Sequence, residues 1–201
     1  MKFAVFALVA ALCLVAVNAN AVGFTDDFPT DFVPSDFVDD EFVDIEQYHI
    51  FSTFWWITKA ALRTLKGVNC SIKQVMKIKD AALNFLPSIH GCGADATKAY
   101  ANIITTTQNV INTCNAIIQT NEEVCNNDES TNGKPSTPKA CFTTLLKQFY
   151  TLNKQIKAVK TAIKKVPSIP SDAADCANQA VNDLTSPMTI WIYFGIFVKE
   201  F

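Results

Sequence analysis

The stretch KACFTTLLKQFYTLNKQIKAVKTAIKKV, residues 139–166, has the most regular apolar pattern in the chain. Steps of three and four between apolar residues are typical of one face of an α-helix. Thr137 is placed to cap this helix, and Pro138 to occupy its first position. The apolar series is Phe142, Leu145, Phe149, Leu152, Ile156, Val159, Ile163 and Val166. The flank and back of the same helix carry Lys147, Lys154, Lys157, Lys160, Lys164 and Lys165.

Two helices are predicted upstream of this one. The first spans residues 44–66, with Asp44 as its N-cap and Gly67 as its stop. The second spans residues 69–86 and ends before Pro87, because proline disrupts a helix interior. Its apolar stripe is Ile72, Val75, Ala82 and Leu86.

A long helix over residues 94–125 is predicted between these and the opening stretch. Isoleucine and valine pairs recur in it at intervals of seven residues, which indicates coiled-coil-like packing.

After residue 166, Ser171 is placed to cap a short helix that ends near Leu184. The apolar run 188–198 then closes the chain. At about eleven residues, this run is too short to span a bilayer of about 30 Å. It is interpreted as a core segment, a sticky surface or a lipid-anchor tail.

Composition supports an all-α fold. The chain has 201 residues, of which 49% are hydrophobic and only six are glycine. Long helices suit such a composition better than a β fold with many turns. The sequence predicts a disulfide-linked helical bundle of about five to six helices over residues 44–201, with a disordered N-terminal arm.

Residues 1–21 are predicted to be a cleaved signal peptide. Lys2 precedes an apolar run of secretory length, and small residues follow it. Secretion into an extracellular, oxidising compartment is therefore expected, and Cys13 would leave with the peptide.

Residues 22–43 form an acidic-aromatic arm. It repeats an acid followed by phenylalanine, at Phe28, Phe32, Phe37 and Phe42. From residue 21 to 58 there are nine acids and no lysine or arginine, whereas residues 59–201 carry a net charge of +6. Three interpretations remain open: a disordered spacer, a propeptide, or a docking arm. A docking arm would place its rings in grooves and its acids against lysines of a partner or of this chain.

Six cysteines remain after cleavage, an even number that predicts three disulfides. In an antiparallel bundle Cys92 and Cys176 both lie at one end, which favours their pairing. At the other end, Cys70–Cys114 and Cys125–Cys141 are expected, with Cys70–Cys125 and Cys114–Cys141 as the rival arrangement.

No motif predicts catalysis, a cofactor or a metal. His49 and His90 stand apart from any nucleophile motif, and the chain has no CxxC.

The lysines of residues 139–166 are interpreted as a solvated face, or as a site for an acidic segment or anionic lipid. With one arginine and an acidic chain, nucleic acid is not expected. Asn69 begins an N-x-S glycosylation pattern, although Cys70 occupies its middle.

The expected function is that of a secreted, non-enzymatic binding or interaction protein. The alternative is an extracellular carrier of a small hydrophobic ligand. The possible contact residues are Phe28, Phe32, Phe37, Phe42, Trp55, Trp56, Trp191 and Phe194.

Several short motifs carry a family resemblance. They are KGVNC at residues 66–70, IHGCGADA at 89–96 and VINTC at 110–114, followed by the distant Cys141 and Cys176. Together they resemble an insect-restricted family of secreted six-cysteine helical proteins of unknown function. The resemblance spans residues 51–201. It implies secretion and a helical fold, and it implies no site residues.

Overall fold

The computed structural model of the protein describes residues 58, 59, 61–126 and 137–194. These ranges contain α-helices and no strand, which confirms the all-α class. The predicted signal peptide 1–21 and arm 22–43 lie outside the described residues. The helices are α1 (Leu65–Gly91), α2 (Ala94–Ala99), α3 (Ala101–Glu123), α4 (Lys139–Ile163) and α5 (Ser171–Phe194).

The four long helices form a bundle around one core. Helix α1 packs against both α3 and α5, and α3 also packs against α4, whereas α4 and α5 approach each other less closely. The rings of Phe149 on α4 and Trp191 on α5 stack, with centroids 5.1 Å apart. The predicted apolar face of α4 is confirmed, because six of its eight members are buried and Ile163 and Val166 pack against the core from its edge.

The start of α1 differs from the prediction. Gly67 does not stop a preceding helix but lies in the first turn of α1, where its N–H donates to the Thr64 hydroxyl at 3.0 Å. Thr64 is therefore the N-cap. A Cβ atom on Gly67 would overlap with the carbonyl oxygen of Ala61. The glycine thus permits close approach of two segments rather than ending a helix.

Two prolines lie inside helices, contrary to prediction. Helix α1 continues past Pro87 to Gly91, and α5 continues past Pro187 to Phe194. The short helix expected near the C-terminus and the described part of the final apolar segment, residues 188–194, are therefore one helix. Pro87 is exposed, so water can satisfy the helix carbonyl that lacks its N–H partner.

The helix predicted over residues 94–125 is two helices. Helix α2 begins after Gly93, whose φ of +99° favours glycine, and ends at Tyr100. Tyr100, with φ −97° and ψ 9°, interrupts the helical backbone, and helix α3 starts after it at Ala101. Its predicted heptad seam is confirmed as far as Asn121, whereas Val124, in the last predicted pair, is exposed. The buried members are Ile103, Thr107, Val110, Ile111, Cys114, Ile117 and Asn121.

The caps predicted for the last two helices are also wrong. Thr137 is buried and makes no side-chain cap; its N–H donates to the Arg63 carbonyl at 3.0 Å, tying the start of α4 to the start of α1. Ser171 lies within α5, and the carbonyl of Pro170 accepts the first helical bond, from Ala174.

Two of the three favoured disulfides are confirmed. Cys92–Cys176 has a Cα–Cα distance of 5.6 Å and joins the α1–α2 turn to α5. Cys125–Cys141 has a Cα–Cα distance of 4.9 Å and joins the end of α3 to α4. Both distances are ordinary for disulfides.

The predicted Cys70–Cys114 bond is wrong, and so is the rival arrangement. Cys114 is a buried free thiol, and Cys70 is disulfide-bonded but not to Cys114. The cause is the break at Tyr100. Cys114 lies thirteen residues into α3, about 20 Å along it, whereas Cys70 lies about 32 Å back along α1 from Gly91. The two sulfur atoms therefore lie at different levels of the bundle.

Candidate functional site

The outer side of α4 carries charge of one sign. The helix contains five lysines and no acidic residue, and Lys164 and Lys165 follow it. Lys147 and Lys154 are exposed, and Lys157 and Lys160 are half-buried. We refer to these four side chains as the lysine face.

Burial has partly dehydrated two members of the lysine face. Desolvation lowers the pKa of Lys157 from its ordinary value. It also lowers the pKa of Lys160, and the positive charge of the neighbouring Lys164 adds to this lowering. An ammonium group that has already lost water loses less hydration when a carboxylate binds it.

A shallow groove between α3 and α4 borders the lysine face. Its volume is about 300 Å³, and it is lined by Asn112, Thr113, Ala116, Lys147, Gln148 and Thr151. The Gln148 side-chain amide fixes the two helices together, because it donates to the Thr120 hydroxyl at 2.8 Å and to the Ala116 carbonyl at 3.3 Å. From Tyr100 to Asn121 the chain carries no charged residue. Helix α3 therefore brings no acid to this groove.

A second surface, on α1, combines apolar and basic side chains. Met76 and Leu83 are 49% and 44% exposed, the highest values among the large hydrophobic residues described. They lie two helical turns apart on one side of α1, about 10 Å from each other. Lys73 lies one turn before Met76, and Lys79 lies between the two apolar residues. We refer to these four residues as the α1 patch.

The α1 patch was not found by sequence reasoning. The predicted stripe of this helix was its buried side, which the structure confirms for Ile72, Val75 and Ala82. Met76 and Leu83 were not part of that stripe. In the sequence, the one sign of an exposed apolar surface is that Met76 and Leu83 are out of phase with the buried stripe.

The structure places few of the predicted contact residues together. Trp191 is buried and stacked on Phe149, so its indole fills the core. Phe194 ends α5. The other six, Phe28, Phe32, Phe37, Phe42, Trp55 and Trp56, lie outside the described residues. The predicted ligand carrier therefore stays a prediction.

The remaining polar candidates have ordinary surroundings. The imidazole of His90 is exposed, with its Nδ1 3.4 Å from the Thr97 hydroxyl; His49 lies outside the described residues. Asn69 is half-buried in the second turn of α1, and the neighbouring Ser71 hydroxyl donates to the Gly67 carbonyl. Glycosylation of Asn69 stays a prediction. Within the described ranges no group of three or more histidines, cysteines or acids is placed to hold a metal ion.

Cys114 is not placed to act as a nucleophile. Its side chain is fully buried in the seam of α3. Burial raises the pKa of its thiol to about 12, an effect that the charge of Lys79 opposes. A nucleophilic cysteine needs an accessible thiolate, which this environment disfavours.

A further groove lies at the opposite end of the bundle from Thr137. It has a volume of about 450 Å³ and lies between α2 and the α4–α5 connection, near the Cys92–Cys176 bond. One acid and one lysine border it, so its charge is mixed. Its lining residues are Asp95, Lys98, Ala99, Pro167, Ser168, Ile169 and Pro170.

Comparisons with protein-family models, with curated proteins and with solved structures find no match to this chain. The family resemblance noted from the motifs therefore stays a prediction. In the described part of the chain, no helix combines the length and the apolar character that crossing a membrane requires.

Proposed function

We propose that this protein is a secreted, non-enzymatic interaction protein that binds an acidic segment of a partner protein through the lysine face of α4. The observation that carries the proposal is the single sign of charge on α4, with five lysines and no acid. Two disulfides support an oxidising compartment.

The placement of the lysines favours a protein segment over a point-like anion. Lys147 and Lys154 lie two turns apart on the outer side of α4, and Lys157 and Lys160 continue the basic surface along its flank for a further turn and a half or so. An extended acidic segment can contact several of these ammonium groups at once. Because the two half-buried lysines have already lost hydration, the contact gains more than it would at a fully solvated lysine.

Binding of an octaglutamate peptide to the full mature chain tests this proposal. The double substitution Lys147→Glu/Lys154→Glu should weaken binding by at least about tenfold, because it puts two repulsive charges in the row. Raising the salt concentration should weaken binding to the wild-type chain. Fluorescence anisotropy measures both effects.

The matched control is Lys66→Glu/Lys98→Glu, which changes net charge equally at two exposed lysines of α1 and α2. It should leave the affinity within about twofold, as expected for distant screened charges. An equal loss of affinity in both variants would mean that net charge alone explains the binding, and would contradict the proposal. Preference for anionic vesicles over the peptide would assign the face to lipid instead.

A further inference from the structure

The α1 patch is a surface of unusual composition for an exposed helix. Met76 and Leu83 are both nearly half exposed, and the exposed Pro87 continues the same side one turn later. Helix α1 carries four lysines, at 66, 73, 77 and 79, against the single acid Asp80. The exposed Asp80 lies between Met76 and Leu83 on the same side of the helix, but the lysines outnumber it. A ligand for this surface therefore needs apolar groups for Met76 and Leu83 and negative charges placed beside the lysines.

The acidic-aromatic arm of the same chain has the matching chemistry. Four of its five phenylalanines directly follow an acid, and from residue 21 to 58 the chain contains no lysine or arginine. Methionine packs well against aromatic rings because its thioether is flexible and polarisable. The lysine face of α4 lacks such apolar residues, since the exposed large hydrophobics among described residues are Met76, Leu83 and Val124.

We propose that residues 22–43 dock on the α1 patch of their own molecule, with arm phenylalanines on Met76 and Leu83 and arm acids beside Lys73 and Lys79. This interaction is independent of the partner proposed for α4, because it uses a different helix. It gives a role to phenylalanine rings of the arm, which the proposed function leaves without one.

The length of the chain permits this docking. Leu83 lies about 27 Å along α1 from Leu65, and Met76 about 16 Å. The segment 44–57 spans about 21 Å even if it is helical, and the 22 residues of the arm add up to about 75 Å when extended. Consecutive rings of the arm are four or five residues apart, so two of them can reach the two apolar residues about 10 Å apart.

Limited proteolysis of the full mature chain tests the docking. Chymotrypsin cleaves after phenylalanine, and a docked arm is cleaved only from its released state. Substitution of both patch residues, Met76→Glu/Leu83→Glu, should speed cleavage within residues 22–43 by about fivefold or more, because it removes the apolar surface and repels the acids. High salt should speed cleavage of the wild-type arm and leave that of the double variant unchanged.

Val124→Glu is the matched control, because Val124 is also exposed, at 39%, but follows α3 at the other end of the bundle from Gly93. Its arm should be cleaved at the wild-type rate, and circular dichroism should show the same helix content in all three proteins. Equal arm cleavage in the wild type and the double variant would overturn the proposal.

A zero-length carbodiimide cross-link distinguishes the same molecule from a second copy. In an equal mixture of ¹⁴N- and ¹⁵N-labelled protein, we expect arm carboxylates linked to Lys73 or Lys79 with both peptides carrying the same label. Mixed-label links would assign the patch to the arm of another copy, and links concentrated on Lys147 or Lys154 would place the arm on α4. Either result would overturn the docking proposed here.

Discussion

At the residue scale, the informative cysteine is the one that does not pair. Cys114 occupies the seam of α3 together with Val110 and Ile117, where all three are fully buried. The even cysteine count predicted that this thiol would be oxidised. The packing of α3 instead uses it as a small apolar residue, a role that suits a buried thiol.

The buried thiol gives the protein a specific pH dependence. In the unfolded chain the Cys114 thiol ionises near pH 9.0, whereas in the folded chain burial raises its pKa to about 12. As the pH rises between these values, only the unfolded state loses the proton, so the free energy of unfolding falls. The loss is about 1.4 kcal/mol by pH 10.

Urea denaturation at pH 8 and pH 10 checks this expectation against Cys114→Ala, which lacks the titrating group. The wild type should lose about 1.4 kcal/mol more than the variant between the two pH values. The contributions of other groups that titrate in this range are the same in both proteins, so they cancel in the difference between the two losses. Identical losses would mean that the folded thiol ionises normally.

At the scale of the element, α1 shows that the same residue type can have different roles at the two ends of a helix. Gly67 lies in the first turn, where a Cβ atom would overlap with the Ala61 carbonyl. Gly91 is the last residue, and a Cβ atom there would meet no atom within 4 Å. The first glycine is required by packing, and the second is not.

Substitution of each glycine by alanine tests this difference. Gly67→Ala should lower the free energy of unfolding by about 1 to 3 kcal/mol, since the backbone of residue 61 must move. Gly91→Ala should range from no change to about 1 kcal/mol of stabilisation, because alanine has the higher helix propensity. Thermal denaturation followed by circular dichroism measures both. A Gly67→Ala variant as stable as Gly91→Ala would contradict the close approach.

At the scale of the whole molecule, the two described disulfides constrain loops of very different length. Cys92–Cys176 joins residues 84 apart in sequence, and Cys125–Cys141 joins residues 16 apart. In the chain-entropy treatment the longer loop gives the larger stabilisation, about 4.5 kcal/mol against about 3 kcal/mol.

Removing each disulfide separately tests the ranking. The pair Cys92→Ser/Cys176→Ser should lose about 1 to 1.5 kcal/mol more than Cys125→Ser/Cys141→Ser, as measured by urea denaturation. The shorter bridge serves as the control for loss of a disulfide as such. A larger loss for the 125–141 pair would indicate that local contacts, rather than loop closure, dominate.

The sequence by itself determined the helical class, the apolar face of α4, the seam of α3 and two disulfides. These features depend on local periodicity, and residues such as Phe149 and Ile117 repeat in phase with a helix over many turns. The cysteine pairs at the ends of the bundle followed because antiparallel helices bring those ends together.

Only the tertiary structure decided where helices bend, continue or touch. Gly67 and Pro87 looked like stops, and the helix before Pro187 was expected to end near Leu184. Packing against neighbouring helices holds these segments helical, because it outweighs local preference. Because of the break at Tyr100, Cys114 and Cys70 lie at different levels of the bundle, and no local sequence pattern predicts this difference. The exposure of Met76 and Leu83 likewise depends on which sides of α1 the helices α3 and α5 cover, and only the assembled bundle determines this.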